Sequence, residues 1–370
     1  MSDIQKRLQE AADRLVDSGT ERGLQIAVYR HGEQLADVVA GVADPKTGRM
    51  VEPATVFYTY SMGKAATATV AHMLVERGLF TYDTPVAELW PEFAAHGKGA
   101  VTVRHVLTHT AGVPGLPLDT THEDICDWDA ICATVADSRL WWEPGTAMGY
   151  HAYTFGYLIG EIVRRATGKP ISQVLREEIA EPLGVADELY FGMPVSEHGR
   201  LAPLEDMPGA SEMMASLPPD LPMLKAGPLS LFPTADLGNR TDVLAADIPA
   251  GGKTSARAMA RMYAALLDEV SGVRLLSPER LREVTATAYS GQDRVFGMDS
   301  AWGLGYSIGL PQGAASSPSV FAMGGAGGTF AYGDTATGVS FAFTKNRLTQ
   351  DFSTAEALAA LVQESFPAGG

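Results

Sequence analysis

Strand character is confined to the two ends of this chain, and that distribution restricts the fold more than any other feature. Near the N-terminus, residues 24–30 and 34–40 read as two strands joined through His31-Gly32-Glu33 as a hairpin. Strand signals return only at 302–310, 319–323, 330–333 and 339–344. From about Thr81 to Ala250 the pattern is helical, broken by Pro and Gly, with no convincing alternation. One sheet assembled from both termini, with a helical domain inserted, follows. The expected division is 1–80 with 251–370 for the sheet domain and 81–250 for the insertion.

Helices fill in the rest. Ile4, Leu8, Ala11 and Leu15 recur at helical spacing at the N-terminus. Further helices are predicted at about 61–77, stopped by Gly78, at 124–136, at 256–270, and at 354–366, the last introduced by Asp351 and Ser353. Residues 207–249 carry seven prolines and many apolar side chains, among them Met213 and Leu229. Long loops of that kind serve as lids or walls more often than as filler.

Composition narrows the function. A hydrophobic fraction of 46% supports a sizeable core. Forty-four acidic residues against 28 Lys plus Arg give a formal charge of -16, which repels phosphate backbones and anionic lipid, so neither nucleic acid nor membrane is an expected partner. Cys126 and Cys132 match no zinc or redox spacing and read as core or boundary thiols; no metal and no cofactor are expected. The charged opening residues hold no apolar signal core, and the expectation is a cytoplasmic protein unless a leader was removed. Oligomeric state is not legible.

The sharpest local signal is Ser61-Met62-Gly63-Lys64 at the head of an Ala-rich helix. Serine and lysine three apart share a helix face, so the amine can reach the hydroxyl, and the helix N-terminus favours an alkoxide. Alone the pattern is weak, since most serines so placed cap their helix. Three further segments follow in order: Thr102-Val103-Arg104-His105-Val106-Leu107-Thr108-His109-Thr110-Ala111-Gly112, then Tyr150-His151-Ala152 ahead of Gly156-Tyr157-Leu158-Ile159-Gly160-Glu161, then Met323-Gly324-Gly325-Ala326-Gly327-Gly328.

Taken together these resemble the serine β-lactamase and penicillin-recognising family, in particular its esterase branch related to class C enzymes, the family VIII carboxylesterases. The resemblance implies an α+β, β-lactamase/transpeptidase-like fold, an antiparallel sheet flanked by helices with an inserted all-helical domain. It implies Ser61 as nucleophile, Lys64 and Tyr150 as the groups that move the proton, and the amides of Ser61 and Ala326 as oxyanion hole. Either Lys64 or Tyr150 could be the base. His151, Ala152, Met323, Gly324 and Gly325 are the expected substrate-facing positions, with His151 as a wall residue or a second acid/base. Two departures bear on substrate: Ala152 replaces an Asn and Met323 a Lys common in enzymes that handle penicillins. A thioether cannot hold a carboxylate as an ammonium does. The expected substrate is therefore an uncharged ester or acyl donor. An acyltransferase acting on a natural-product acceptor, or a binding protein that keeps the fold without turnover, are the competing readings.

Three other patterns are read as structural. Ser307 completes a G-x-S-x-G pattern but lies in a strand-like run without the strand-turn-helix context of a nucleophile elbow. His105 and His109 are spaced i, i+4, with Val106 where a zinc motif needs Glu. Lys253-Thr254-Ser255 imitates a K-T-G box, yet precedes a helix that its hydroxyls could cap.

Overall fold

The computed structural model describes residues 3–218, 220–311 and 317–367, so Pro219 of the proline-rich stretch lies outside the described residues. Nine strands form one antiparallel sheet: β1 (Gly23–Arg30), β2 (Glu33–Asp44), β3 (Arg49–Met50), β4 (Tyr289–Gln292), β5 (Asp299–Trp302), β6 (Ser307–Ile308), β7 (Val320–Gly325), β8 (Thr329–Asp334) and β9 (Val339–Lys345). Their order is β3-β2-β1-β9-β8-β7-β6-β5-β4. β1 runs beside β9 from Leu24 opposite Lys345 to Arg30 opposite Val339, so the two ends of the chain meet in the sheet interior.

Both faces of that sheet are covered, which is why β9 is buried throughout, its Ser340, Thr344 and Lys345 included. On one face α1 (Asp3–Asp17) and α5 (Ser353–Ser365) bring Ile4, Leu8, Ala355 and Leu358 against Ile26, Val28, Phe341 and Phe343. On the other face lie α2 (Lys64–Glu76) and α4 (Ala256–Leu267), within a core that continues into α3 (Thr154–Thr167). Among the described residues no helix is long and apolar enough to cross a membrane.

Three expectations change. The strand predicted at 302–310 is a hairpin, with Trp302 of β5 opposite Ser307 of β6, because Gly305 takes a left-handed φ of 80° and lets the chain reverse. The helix predicted at 124–136 is two, His122–Cys126 and Trp128–Asp137. Asp127 between them is extended and its carboxylate accepts from the Ala130 amide, the capping that makes Asp a poor interior helix residue. A small second sheet also forms, in the order Leu189–Tyr190, Lys253–Thr254, Val56–Tyr58, Leu201–Ala202. Strands of two or three residues are too short to show alternation in sequence.

That second sheet lays residues 249–252 between α2 and α3, and glycines make the approach possible. A Cβ on Gly63 would collide with the main chain of Gly252, and one on Gly156 with the main chain of Ala250. Helix propensity alone would favour Gly156→Ala by about 1 kcal/mol. Overlap with backbone, which cannot rotate away, reverses the sign. Thermal denaturation should show Gly156→Ala destabilised by about 1–3 kcal/mol, whereas Gly99→Ala, with nothing within 4 Å of the added carbon, should stay near the parent. A stabilised Gly156→Ala would mean that the 249–252 strip does not sit against α3.

Candidate active site

Ser61 lies on a single 3-10 turn, Tyr60–Gly63, that leads into α2. Tyr60 holds a left-handed φ of 46°, unusual for a bulky residue, and it aims the following serine. Several contacts hold the turn in place. The Thr59 amide and hydroxyl both donate to the Gly252 carbonyl, at 2.8 and 2.9 Å, and the Gly252 amide donates to the Tyr60 carbonyl at 3.0 Å. The Tyr60 hydroxyl donates to the Thr234 carbonyl at 2.6 Å, tying the turn to the proline-rich stretch.

Lys64 follows one turn later and is fully buried. Its Nζ donates to Ser61 Oγ at 2.8 Å and to the Ala250 carbonyl at 3.0 Å. Among the described residues no carboxylate pairs with it, and burial alone pulls its pKa down to about 7. Its Nζ also lies 5.0 Å from the centre of the Tyr150 ring.

Burial drives the Tyr150 phenol pKa up, the neighbouring Ser61 hydroxyl opposes that, and the Asp293 carboxylate adds to it. The phenol therefore stays protonated. Its ring packs on His109 at 4.7 Å, Phe296 at 5.6 Å and Trp302 at 5.9 Å. Its amide donates to both oxygens of Asp293 at 3.2 Å.

The neighbouring histidines are framework. His151 is fully buried; its Nδ1 donates to the Gly149 carbonyl at 2.7 Å and its Nε2 accepts from the Val113 amide at 3.2 Å. Both nitrogens are spoken for, and burial lowers its pKa to about 4, so His151 has no ring nitrogen to offer substrate or proton. His109 Nδ1 accepts from the His151 amide at 3.1 Å, while His105 Nδ1 accepts from the Thr102 amide in a capping box. The two therefore serve different main-chain groups.

The third motif is corrected by strand alternation. Along β7, Phe321 and Met323 face the core on the α2 side, whereas Val320 and Ala322 face the α1 and α5 layer. Met323 is only 2% exposed, and it lies two residues before Gly325 on the same face of β7. Gly324 points away from Ser61, since a Cβ there would press on the Phe352 ring. Gly325 does face the nucleophile: a Cβ there would collide with the Thr59 carbonyl and come within 3.2 Å of the Met62 amide. That close approach sets the half-buried Ala326 beside the Ser61 turn. Ala152 is half-buried.

The remaining sequence patterns fall where structure needs them. Ser307 Oγ donates to the Ala322 carbonyl at 3.0 Å inside the sheet. Ser255 caps α4 by accepting from the Ala258 amide at 3.1 Å. Lys253 is buried and donates to the Phe191 and Val243 carbonyls. Arg240 is paired with Asp242. Sequence reasoning missed the Ala250 carbonyl, Asp293 and Trp302. The glycines at 63, 156, 251 and 252 were the available signal for the first, and nothing local marked the other two.

The chain is similar to known proteins over most of its length. A family model described as Beta-lactamase matches residues 8–364. The chain belongs to the beta-lactamase family. It is 36% identical over 340 residues to Esterase/beta-lactamase LipL of Mycobacterium tuberculosis, covering 88% of this chain and 77% of that protein. It is 30% identical over 198 residues to Esterase EstB of Burkholderia gladioli, covering 49% of this chain and 50% of that protein. A solved family VIII carboxylesterase superposes with a TM-score of 0.87 at 30% identity, over 98% of each chain. A penicillin-binding protein homologue from Caulobacter crescentus does so at 0.85 and 32%, over 98% of each. The fold expected from the sequence, a β-lactamase/transpeptidase-like one, is the fold of these neighbours.

A lysine poised near pH 7 has a kinetic signature. If neutral Lys64 is needed for reaction, kcat/KM for an uncharged ester should rise with pH and level off above about 7, falling about tenfold per unit below that. The protonated Tyr150 should add no falling limb below about pH 10. A pH-rate profile measures both, and a flat profile from pH 5 to 9 would remove Lys64 from the role.

Proposed function

We propose that this protein is a serine hydrolase that cleaves uncharged carboxylic esters through an acyl-enzyme on Ser61. The contact that carries this reading is the 2.8 Å link between Ser61 Oγ and an amine without a counter-ion. In its neutral form Lys64 accepts the Ser61 proton as Oγ attacks the ester carbonyl carbon. Negative charge developing on the carbonyl oxygen faces the amides of Ser61 and Ala326. As the C–O bond breaks, the Tyr150 phenol gives its proton to the departing alkoxide. Water then attacks the acyl carbon by the same groups in reverse.

Three observations support esters over β-lactams. The third-motif position holds a buried Met323 in place of an ammonium, Lys253 is committed to carbonyls, and Arg240 is paired with Asp242. Met323→Lys would place an ammonium in the core, so it should destabilise the fold instead of conferring penicillin turnover. Ser61 itself is only half-buried, which suits water as acceptor over an acyl transfer that must exclude it. The joining of nucleophile, amine and phenol in one contact network speaks for turnover over a silent binding fold.

The test varies charge at constant size. Activity on p-nitrophenyl butyrate should exceed that on the p-nitrophenyl monoester of succinate by about ten- to a hundred-and-fifty-fold, the cost of a carboxylate lacking a charged partner. Benzylpenicillin should be turned over poorly, and Ser61→Ala should be inactive on every substrate while remaining folded. Equal rates on the neutral and anionic esters would show that a cation serves the site.

A further inference from the structure

We propose that the turn from Asp293 to Met298 forms the subsite for the alcohol part of the ester, with Phe296 and Met298 as its apolar wall and Asp293 as the residue that positions it against Tyr150. This rests on the acyl-enzyme reading, and it starts from the proton. The leaving oxygen takes its proton from Tyr150, so the carbon chain attached to that oxygen must lie beside the Tyr150 ring. What the structure sets beside that ring, on the side open to solvent, is Phe296, centred 5.6 Å away and 43% exposed. Met298, at the end of the same turn, is 68% exposed. A lone exposed apolar residue needs no explanation. Two on one rigid turn that touches the proton donor are differently placed.

The rigidity comes from one carboxylate. Asp293 is buried, has no ion-pair partner among the described residues, and is satisfied by amides. Its Oδ1 accepts from Val295 at 2.7 Å and Phe296 at 3.0 Å, and both oxygens accept from Tyr150 at 3.2 Å. The turn is closed by Gly297 donating to the Asp293 carbonyl at 2.7 Å and by the Asp293 amide donating to the Met298 carbonyl at 2.8 Å. The Arg294 amide donates to the Met148 carbonyl at 2.9 Å, fastening this tip of the β4–β5 hairpin to the strand-like stretch that leads into Tyr150. The same group thus fixes the main chain of the proton donor and the wall beside it. Arg294 is also exposed on this turn, but it is the phenyl ring that lies against Tyr150, which favours an uncharged aryl or alkyl alcohol over an anionic one.

The experiment holds the acyl group constant and varies the alcohol, using ethyl acetate and 1-naphthyl acetate. Both pass through the same acetyl-enzyme, so their kcat/KM ratio reports the alcohol side alone. Phe296→Ala should lower the naphthyl-to-ethyl ratio by about five- to twentyfold, as expected for losing part of an aromatic contact. The p-nitrophenyl acetate-to-octanoate ratio, which reports the acyl side, should stay unchanged. Asp293→Ala should collapse the naphthyl-to-ethyl ratio and lower activity on both esters. Asp293→Asn, which keeps an oxygen for the Val295 and Phe296 amides, should restore the ratio. An unchanged naphthyl-to-ethyl ratio in Phe296→Ala, a shift in the acyl series instead, or a preference for esters of anionic alcohols would overturn the proposal. Intact mass of the quenched variants keeps the two readings apart, since an acetyl adduct persists when only the subsite assignment is wrong.

Discussion

An amine buried without a carboxylate is the constraint on which the rest of this site depends. Lys64 is held by a serine hydroxyl and one main-chain carbonyl, that of Ala250. Neither neutralises an ammonium, so the neutral form is well populated near pH 7 and its lone pair is then available to Ser61. Delivering that carbonyl requires residues 249–252 to lie between α2 and α3, with glycines at 63, 156 and 252 where side chains would not fit. Pairing of Lys253–Thr254 with Val56–Tyr58 then ties the chain just after this strip to the residues just before Ser61. Fold and chemistry are joined at that short strip of backbone.

Other buried lysines show why burial alone does not define the base. Lys345 is paired with Glu21 at 2.7 Å, and Lys98 is ringed by the carbonyls of Ala95, Ala136 and Ser138. Lys253 is also brought to about 7 by burial, yet its contacts are carbonyls and the face of Tyr58. None of these three touches a serine, and the hydroxyl that Lys345 does reach, that of Thr349 at 2.9 Å, shares it with the Glu21 carboxylate. Lys64 is distinguished by its Ser61 contact and by the Tyr150 ring beside it.

Much of this was legible in the sequence, for reasons specific to each part. The long elements, α1, β1, β2, β7 and β8, announce themselves by period, and the order of the four motifs pointed to Ser61, Lys64 and Tyr150, which the fold brings together. What was hidden depends on tertiary contact. Two-residue strands have no period, and Asp127 and Gly305 each interrupt an element through a single backbone choice. Gly324 was expected at the substrate because motif matching places residues in order along a strand without saying which face each occupies. His151 looked chemically able until both of its nitrogens were found bonded to main chain. Asp293 was invisible because its role lies in accepting three amides, one of them more than a hundred residues away in the chain.

The central claim is that the acyl group is carried on Ser61, and it is tested most directly by stopping turnover of a slow uncharged ester in acid and mapping the modified peptide by mass spectrometry. The account predicts one acyl group per chain, located on the peptide containing Ser61 and absent after hydroxylamine treatment. An acyl group on the peptide containing Ser307, or turnover with no covalent intermediate under conditions where deacylation is slowest, would contradict it.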